Sequence, residues 1–353
     1  MHLKILQLLL PGVFLTSLCH ASPFNNSLIQ DVGPPSHQTL CIAFYNVENL
    51  FDTKDDPGID DEEFTPNGKQ HWTDNKYSKK ISNIARVIRA LNNEEGADLV
   101  GFAEVENKGV LEDLIADPQL KKLGYGIVHH DSPDKRGIDV AMIYKKNVFK
   151  ILGQKFLTVD VSKYEDKPTR DIVMVQAIAG KNDTLDIFLN HWPSRREGKE
   201  ISEPKRIIAA TVLKQAVDSL LLRNPKAKIL IMGDLNDNPP DKSIAQVLKA
   251  EESVNTNSNA LYDCDYNFDW KRGEGTEFYK GQWSRFIQII VSSSLIQNQQ
   301  NPKGGFDDVH IFKPDWLLIL DPTYQQMIPK RTFEDDSKIG FSDHLPVYIE
   351  IKI

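Results

Sequence analysis

Residues 229–236 have the sequence ILIMGDLN, in which an apolar run of four residues leads, through Gly233, to Asp234 and Asn236. A short, continuously apolar run is typical of a strand that is buried on both faces of a sheet. Asp234 and Asn236 are two residues apart, so on extended backbone their side chains point the same way. The stretch therefore predicts a buried strand that carries a polar pair to the edge of a sheet.

Other short apolar runs also predict buried strands, at residues 41–45, 99–103, 140–144, 185–189, 286–291 and 347–353. Two stretches between them have apolar residues at helical spacing. The first lies within residues 77–91, and the second lies within 207–220, after Pro204 and before Asn224-Pro225. Strands that alternate with helices indicate a layered α/β fold.

Polar residues stand at one end of five of these runs: Asn46 and Glu48, Glu104, Asn190 and His191, Asp234 and Asn236, and Asp343 and His344. The first four sets follow their strands, whereas Asp343 and His344 precede the last strand. Reactive groups of α/β sheets gather at one edge, beyond the strand ends. If the last strand runs antiparallel to the others, all five sets meet at the same edge.

Three of these residues, Glu104, Asp234 and Asp343, are carboxylates, which repel one another in a shared site unless a cation neutralises them. Oxygen ligands without cysteine favour Mg²⁺ or a similar ion over zinc. Histidines and amides can hold the oxygens of a phosphate, which a metal also polarises. Taken alone, each residue is more often a turn former or a cap. Together they predict metal-dependent chemistry on a phosphate ester.

The first residues predict export. Residues 1–21 combine a weakly positive start, a short apolar run and small residues before a cleavage point, which predicts a signal peptide cut after Ala21. A buried core helix is the alternative interpretation. Residues 22–38 are rich in Ser, Pro, Asn and Gly and predict a flexible lead-in, which leaves one domain at 39–353. We expect a periplasmic or extracellular protein.

The composition narrows the class of protein further. Acidic residues outnumber basic ones by 50 to 42, for a net charge of -8, which argues against binding nucleic acid by a strong positive field. Basic pairs at 135–136, 195–196 and 205–206 could still grip phosphates locally, or could simply solvate loops. After export two cysteines remain: Cys41 and Cys264 could pair, but the apolar run around Cys41 predicts a buried thiol.

Five motifs resemble those of the endonuclease/exonuclease/phosphatase family, in the order of that family: YNVENLFD at 45–52, FAEVEN at 102–107, NHWPSR at 190–195, GDLND at 233–237 and SDHLP at 342–346. DDEEFTP at 60–66 and RGIDVA at 136–141 further resemble its exported bacterial branch. The resemblance covers roughly residues 40–353. It implies an α/β four-layered sandwich, in which two mixed β-sheets pack face to face and are flanked by helices, with a hydrolytic site across one end.

The resemblance also implies a metal and a role for each matching residue. The metal would be Mg²⁺, with Mn²⁺ or Ca²⁺ as alternatives. By motif position, Asn46 and Glu104 would bind the metal, with Asp343 beside it. Asp234 would orient or deprotonate the attacking water, and Asn236 would bind a phosphate oxygen. His191 and His344 would hold or protonate the phosphoryl group.

One position departs from the pattern of the family. Most members have an aspartate in the penultimate strand that hydrogen-bonds the final histidine, and alignment on the apolar run places Ile287 there. Isoleucine cannot accept a hydrogen bond, and strand alternation turns Gln288 to the other face. His344 would then lack the carboxylate that fixes its tautomer and favours its protonated form.

Two interpretations of this departure remain open. In the first, the protein is an enzyme that either is weakened or has another group that reaches His344 from a loop. In the second, the protein is a degenerate member of the family that binds a phosphorylated ligand without turnover. We favour an active but slow enzyme.

The resemblance favours an exported nuclease that hydrolyses phosphodiester bonds by in-line water attack. A phosphomonoesterase or a lipid phosphodiesterase of the same fold is the second interpretation, and a binding protein is the third. We expect a monomer whose partner is a phosphoester substrate, most simply a nucleic acid. No apolar hairpin or amphipathic helix suggests membrane insertion.

Overall fold

A computed structural model describes residues 39–352 of the chain, except 167, 181–182, 254–258, 266–274, 297–308 and 334–338. The predicted signal peptide (1–21), the lead-in (22–38) and Ile353 lie outside the described residues. Their boundaries therefore stay predictions. Within the described ranges, no helix is both long and apolar enough to cross a membrane.

The described strands, in chain order, are β1 (Thr39–Leu50), β2 (Leu99–Val105), β3 (Tyr125–His129), β4 (Asp139–Lys145), β5 (Phe149–Leu157), β6 (Ile172–Ala179), β7 (Asp183–His191), β8 (Lys228–Asp234), β9 (Ala250–Glu251), β10 (Leu261–Asp263), β11 (Glu277–Tyr279), β12 (Gln282–Ser284), β13 (Ile287–Ser292), β14 (Val309–Ile311), β15 (Leu318–Asp321), β16 (Gln326–Pro329) and β17 (Val347–Lys352). The α-helices are α1 (Asp74–Glu94), α2 (Lys108–Ala116), α3 (Lys199–Arg223) and α4 (Ser293–Ile296).

Two large sheets contain most of these strands. The first has the order β14-β17-β1-β2-β4-β3 and the second has the order β5-β6-β7-β8-β13-β10-β9. β1 and β2 run parallel in the first sheet, as β7 and β8 do in the second. β17 runs antiparallel to β1. The residues that precede β17 therefore lie at the edge where β1 and β2 end, as the sequence predicted.

Alternation along β1 divides its side chains between two cores. Leu40, Ile42 and Phe44 belong to the apolar cluster between the two sheets, whereas Ala43 and Tyr45 pack in a second cluster with α1 and α2. A third cluster joins the outer face of the second sheet to α3. The layers therefore follow the order helix, sheet, sheet, helix, which confirms the predicted four-layered sandwich.

The helix that the sequence predicted after Pro204 begins earlier, at Lys199. Pro204 lies inside its second turn, where the missing N–H removes a single hydrogen bond to the preceding turn. Side chains add hydrogen bonds around this turn, since the Ser202 hydroxyl donates to the Gly198 carbonyl at 2.6 Å and Arg206 donates to the Ser202 hydroxyl at 2.7 Å. The helix thus contains the predicted apolar stripe and extends beyond Pro204 to Lys199 at its N-terminal end.

The two cysteines lie in different cores and form no disulfide. Cys41 faces the helices, whereas Cys264 belongs to the cluster between the sheets. Burial, and then the nearby charges of Asp98 and Glu350, raises the pKa of the Cys41 thiol to about 12. Cys41 is thus the buried thiol that its apolar surroundings predicted.

Candidate active site

Polar residues at the ends of the central strands meet at one edge shared by both sheets. Asn46 of β1 donates from Nδ2 to Oε1 of Glu104 on β2 at 3.3 Å, and to Oδ2 of Asp234 at the end of β8 at 2.9 Å. Nε2 of His191, the last residue of β7, lies 3.9 Å from Oε1 of Glu104. Nε2 of His344 lies 3.6 Å from Oδ2 of Asp234. These contacts join five predicted residues into one group.

The other two predicted residues flank this group. The N–H of Asn236 donates to Oδ1 of Asp234 at 3.1 Å, and its Nδ2 donates to a backbone carbonyl beyond β7 at 3.0 Å. Oδ1 of Asp343 lies 3.8 Å from Nε2 of His344, while its Oδ2 accepts a hydrogen bond from Arg331 at 3.1 Å. The structure therefore brings all seven predicted residues together.

The backbone at this edge departs from regular strand geometry. Glu48, Glu104 and Asn236 have φ angles of 49°, 65° and 51°, although none is glycine. Such a conformation costs on the order of 1–3 kcal/mol for a residue with a Cβ atom, least for asparagine. The register of β2 also shifts around Glu104 in its pairing with β1 and with β4. Irregular pairing of this kind re-aims a side chain, here Glu104, towards the shared edge.

The two histidines of the site have different charge states. Burial, and then nearby arginines with Arg170 foremost, holds the pKa of His191 well below its usual value. Burial also acts to lower the pKa of His344, but the carboxylates around it, first Asp234 and then Asp343, raise it to about 9. At neutral pH His191 is therefore neutral and His344 is protonated. Groups whose pKa values are pushed apart in this way can take different roles in proton transfer.

The carboxylates of the site are crowded. Burial raises the pKa of Glu104, and the charge of Asp343 raises it further. Burial likewise raises the pKa of Glu48 to about 7. Arg331 lies between two of these groups, since Nε donates to Glu48 at 3.0 Å and Nη2 donates to Asp343 at 3.1 Å. Several buried negative charges thus converge, and a cation would stabilise them.

Sequence reasoning missed Glu277. This residue begins β11 and forms an isolated antiparallel bridge with His344. A carboxylate oxygen of Glu277, a carboxylate oxygen of Asp343 and a ring nitrogen of His344 all lie within 4.8 Å of one another. Burial raises the pKa of Glu277 to about 7, while the charge of His344 acts to lower it. No local motif signals this contact, because the two residues are far apart in the chain.

Ile287 occupies the place that the sequence assigned to it. It is fully buried between the sheets and pairs across strands with Asp234. The neighbouring Gln288 donates from Nε2 to two backbone carbonyls, at 2.6 and 2.7 Å. Within the part of the chain that the structure describes, Nδ1 of His344 has no hydrogen-bond partner. Neither Ile287 nor Gln288 therefore orients His344, which leaves Glu277 as an additional carboxylate beside the ring.

The donor set fits a hard divalent cation. Glu104 and Asp343 supply carboxylate oxygens, which are the ligands that Mg²⁺ prefers, and no cysteine belongs to the group described above. Asn46 fits less directly, since its Nδ2 faces the carboxylates and its Oδ1 accepts a hydrogen bond from the N–H of Glu48 at 3.0 Å. To act as a ligand, the amide of Asn46 would have to turn over. Glu104 and Asp343 are the better-placed ligands.

Three of the six basic residues that were predicted to grip phosphates bind other parts of the protein. Arg195 and the fully buried Arg206 both pair with Asp237, at 2.5 and 2.9 Å. Lys205 is buried and pairs with two glutamates. Arg136 differs, because its charge acts on the buried glutamate and on His191 of the site. The basic rim of the site is therefore smaller than the sequence suggested.

Comparison with known proteins agrees with this geometry. A model of the Endonuclease/Exonuclease/phosphatase family matches residues 41–353. No curated protein sequence matches the chain.

Several solved structures share the fold. An endonuclease/exonuclease/phosphatase family protein from Bacteroides thetaiotaomicron is 15% identical with a TM-score of 0.54, over 90% of this chain and 98% of that one. A mannosyl-6-phosphatase from the same organism is 15% identical with a TM-score of 0.56, over 89% and 99%. Truncated TDP2 from Caenorhabditis elegans is 16% identical with a TM-score of 0.53, over 89% and 98%. At these identities the likeness shows the fold alone.

Proposed function

Because the chain belongs to the endonuclease/exonuclease/phosphatase family, we propose that it is a divalent-metal-dependent hydrolase of phosphoester bonds. One observation carries the proposal: Asn46, Glu104, His191, Asp234 and His344 form a single connected group at the edge shared by the two sheets. Carboxylates for a hard cation, together with one neutral and one protonated imidazole, suit in-line attack of water on phosphorus.

Asp234 is the residue best placed to act on the attacking water. Its Oδ2 accepts a hydrogen bond from Asn46 at 2.9 Å, and its Oδ1 accepts one from the N–H of Asn236 at 3.1 Å. A carboxylate held at both oxygens can orient a water molecule and take its proton as the oxygen–phosphorus bond forms. We infer that Asp234 is the general base of the reaction.

The histidines would act on the phosphoryl group. His344 is protonated at neutral pH and can donate to a phosphate oxygen or supply a proton as the bond to the leaving oxygen breaks. His191 is neutral, and its buried Nδ1 has no hydrogen-bond partner in the described ranges, so the ring can hold a second oxygen. The metal, held by Glu104 and Asp343, would supply neutralising charge for the phosphate oxygens.

Glu277 favours turnover over the degenerate-binder interpretation. The loss of the expected aspartate at Ile287 removes both an orienting hydrogen bond and a negative charge beside His344, and another carboxylate can restore the charge. Glu277 lies opposite His344 across a β-bridge and adds to the charges that raise the pKa of the ring. We therefore propose an active enzyme in which Glu277 supplies part of what the usual aspartate provides.

For the substrate, we propose a nucleic acid, as the sequence pattern favours. A small phosphomonoester is the second candidate, and the internal pairing of Arg195, Lys205 and Arg206 supports it. With a net charge of -8 and these cations already paired, fewer positive groups remain to bind a long polyanion.

A substrate panel tests the proposal. The protein is incubated with plasmid DNA, RNA, phosphorylated sugars and a choline phospholipid, first with Mg²⁺ and then with EDTA. We expect hydrolysis of at least one substrate that EDTA abolishes and Mg²⁺ restores. Cleavage of DNA or RNA supports the nuclease, and release of inorganic phosphate from the sugar supports the phosphomonoesterase. Binding that does not need metal, with no turnover of any substrate, would contradict the proposal.

A further inference from the structure

A second group of carboxylates lies outside the proposed active site, where the loop after β1 meets the end of β2. One carboxylate oxygen from each of Asp56, Asp61 and Glu106 lies within 4.8 Å of the other two. Two oxygens that each lie about 2.4 Å from the same Ca²⁺ ion are at most about 4.8 Å from one another. The spacing is therefore that of ligands to a single hard cation.

Two of these carboxylates are buried with an oxygen unused. Asp61 and Glu106 are 0% and 5% exposed. Each accepts a backbone hydrogen bond at one oxygen: Oδ2 of Asp61 from Asp56 at 3.1 Å, and Oε2 of Glu106 from Asp52 at 2.6 Å. The other oxygens, Oδ1 of Asp61 and Oε1 of Glu106, have no hydrogen-bond partner among the described residues. Because an unpartnered buried carboxylate oxygen is costly, these atoms indicate a missing ligand.

No cation of the described ranges pairs directly with this group, although Asp52, and then the charges of Glu106 and Asp56, raise the pKa of Lys54. Among the described residues, no basic side chain forms an ion pair with Asp56, Asp61 or Glu106, and the neighbouring Lys54 pairs with Asp52 instead, at 3.3 Å. A bound divalent ion would stabilise all three carboxylates at once.

This group is distinct from the active site, although Glu106 is only two residues beyond Glu104. Oε2 of Glu106 accepts a hydrogen bond from the N–H of Asp52 at 2.6 Å, and its side chain lies with the other two carboxylates of the group. The oxygens of Glu104 instead accept hydrogen bonds from Nδ2 of Asn46 at 3.3 Å and from the N–H of Asn49 at 2.9 Å. The two glutamates therefore belong to different clusters.

We propose that Asp56, Asp61 and Glu106 bind a structural divalent cation, Ca²⁺ in preference to Mg²⁺. Ca²⁺ accepts flexible, carboxylate-rich sites on loops, whereas Mg²⁺ demands near-octahedral geometry and keeps more of its waters. The ion would tie residues 56–61 to the end of β2, directly behind Glu104. The site does not depend on the proposed reaction, and its occupancy can be measured without a substrate.

Calorimetric titration and thermal unfolding of the metal-free protein with CaCl₂ test the proposal. We expect the wild type to bind Ca²⁺ and its unfolding midpoint to rise by roughly 2–5 °C at saturating ion. The double variant Asp61→Asn, Glu106→Gln keeps the side-chain volumes and removes the charges. It should fold, because amides replace two repelling carboxylates, and it should lose the binding and the part of the shift that this site contributes, while any Ca²⁺ held by Glu104 and Asp343 stays bound.

Two matched variants complete the design. Asp55→Asn removes an exposed carboxylate of the same segment that lies outside the cluster, and it should keep the full shift. Glu104→Gln with Asp343→Asn removes the proposed active-site ligands and should keep the part of the shift that Asp61 and Glu106 contribute, which separates the two sites. An undiminished Ca²⁺ shift in the Asp61→Asn, Glu106→Gln protein would overturn the proposal, as would a wild type that neither binds Ca²⁺ nor is stabilised by it.

Discussion

At the scale of single residues, the neighbours of each histidine decide its charge. His344 is surrounded by carboxylates that raise its pKa to about 9, whereas burial and arginines keep His191 neutral. The sequence shows that His191 follows a predicted strand and that His344 precedes one, which are local properties. It cannot show their charges, because these depend on groups that only the fold brings close.

The pH dependence of turnover tests the role of His344. If protonated His344 assists the reaction, kcat should fall as pH rises through about 9, since the proton is lost above the folded pKa. Glu277→Gln removes one of the carboxylates that raise this pKa, so the alkaline fall should begin at lower pH. Profiles of kcat against pH, measured from about pH 6 to about pH 10.5, check this, because that range extends beyond the pKa of His344. Coincident profiles for wild type and variant would contradict the role of Glu277.

A rescue experiment tests whether Glu277 replaces the usual aspartate. Glu277→Gln should lower kcat with little change in the unfolding midpoint, because the residue is only half buried. Adding Ile287→Asp should recover part of the lost rate, since position 287 pairs across strands with Asp234, whose Oδ2 lies 3.6 Å from Nε2 of His344. In the wild-type background, Ile287→Asp should gain little. A loss in Glu277→Gln that Ile287→Asp leaves unchanged would argue for a merely structural role.

At the scale of elements, α1 supports the site from behind. Nζ of the fully buried Lys80 donates to the backbone carbonyl of Glu48 at 2.5 Å and to the hydroxyl of Thr332 at 2.7 Å. These two segments carry Glu48 and Arg331 to the site, so the helix fixes their relative position.

Lys80→Met should therefore weaken both the fold and the site. Methionine fills most of the volume but leaves the two acceptors without a donor, which costs about 1–3 kcal/mol. We expect a lower free energy of unfolding in urea and a lower kcat. Lys79→Met is the matched control, because Lys79 lies next to it on the exposed side of α1. Equal stability of the two variants would contradict the account.

Some strands could be predicted from the sequence and others could not, for a physical reason. β1 and β8 are buried on both faces, so they appear as continuous apolar runs. β5 lies at an edge of its sheet and exposes most of its residues, so no such run marks it. The hairpin of β11 and β12 is short and half exposed, yet it brings Glu277 to His344. Short elements of this kind are placed by tertiary contacts rather than by local pattern.

At the scale of the whole molecule, the order of layers follows from the sequence more securely than the substrate does. Helical stripes and buried strands predicted a sandwich, and the polar strand ends predicted where its site would lie. The basic residues could not be assigned in this way, because a pair such as Arg195 and Asp237 forms between distant segments. Charge counts alone therefore do not identify the substrate.

Export remains a proposal, and the mature terminus tests it. We expect cleavage after Ala21 and a mature protein that begins at Ser22. N-terminal sequencing of protein recovered from the periplasm or the medium measures this directly. Protein that retains Met1 and stays inside the cell would contradict the proposal.

The turnover number of Asp234→Asn, on whichever substrate the wild type hydrolyses, bears most directly on the claim that this edge is a phosphoester-hydrolysing site. The substitution keeps the shape of the side chain and removes its capacity to accept a proton. We predict that kcat falls by about 100-fold or more while the unfolding midpoint stays within the range of the wild type. A folded Asp234→Asn protein with wild-type kcat would contradict the account.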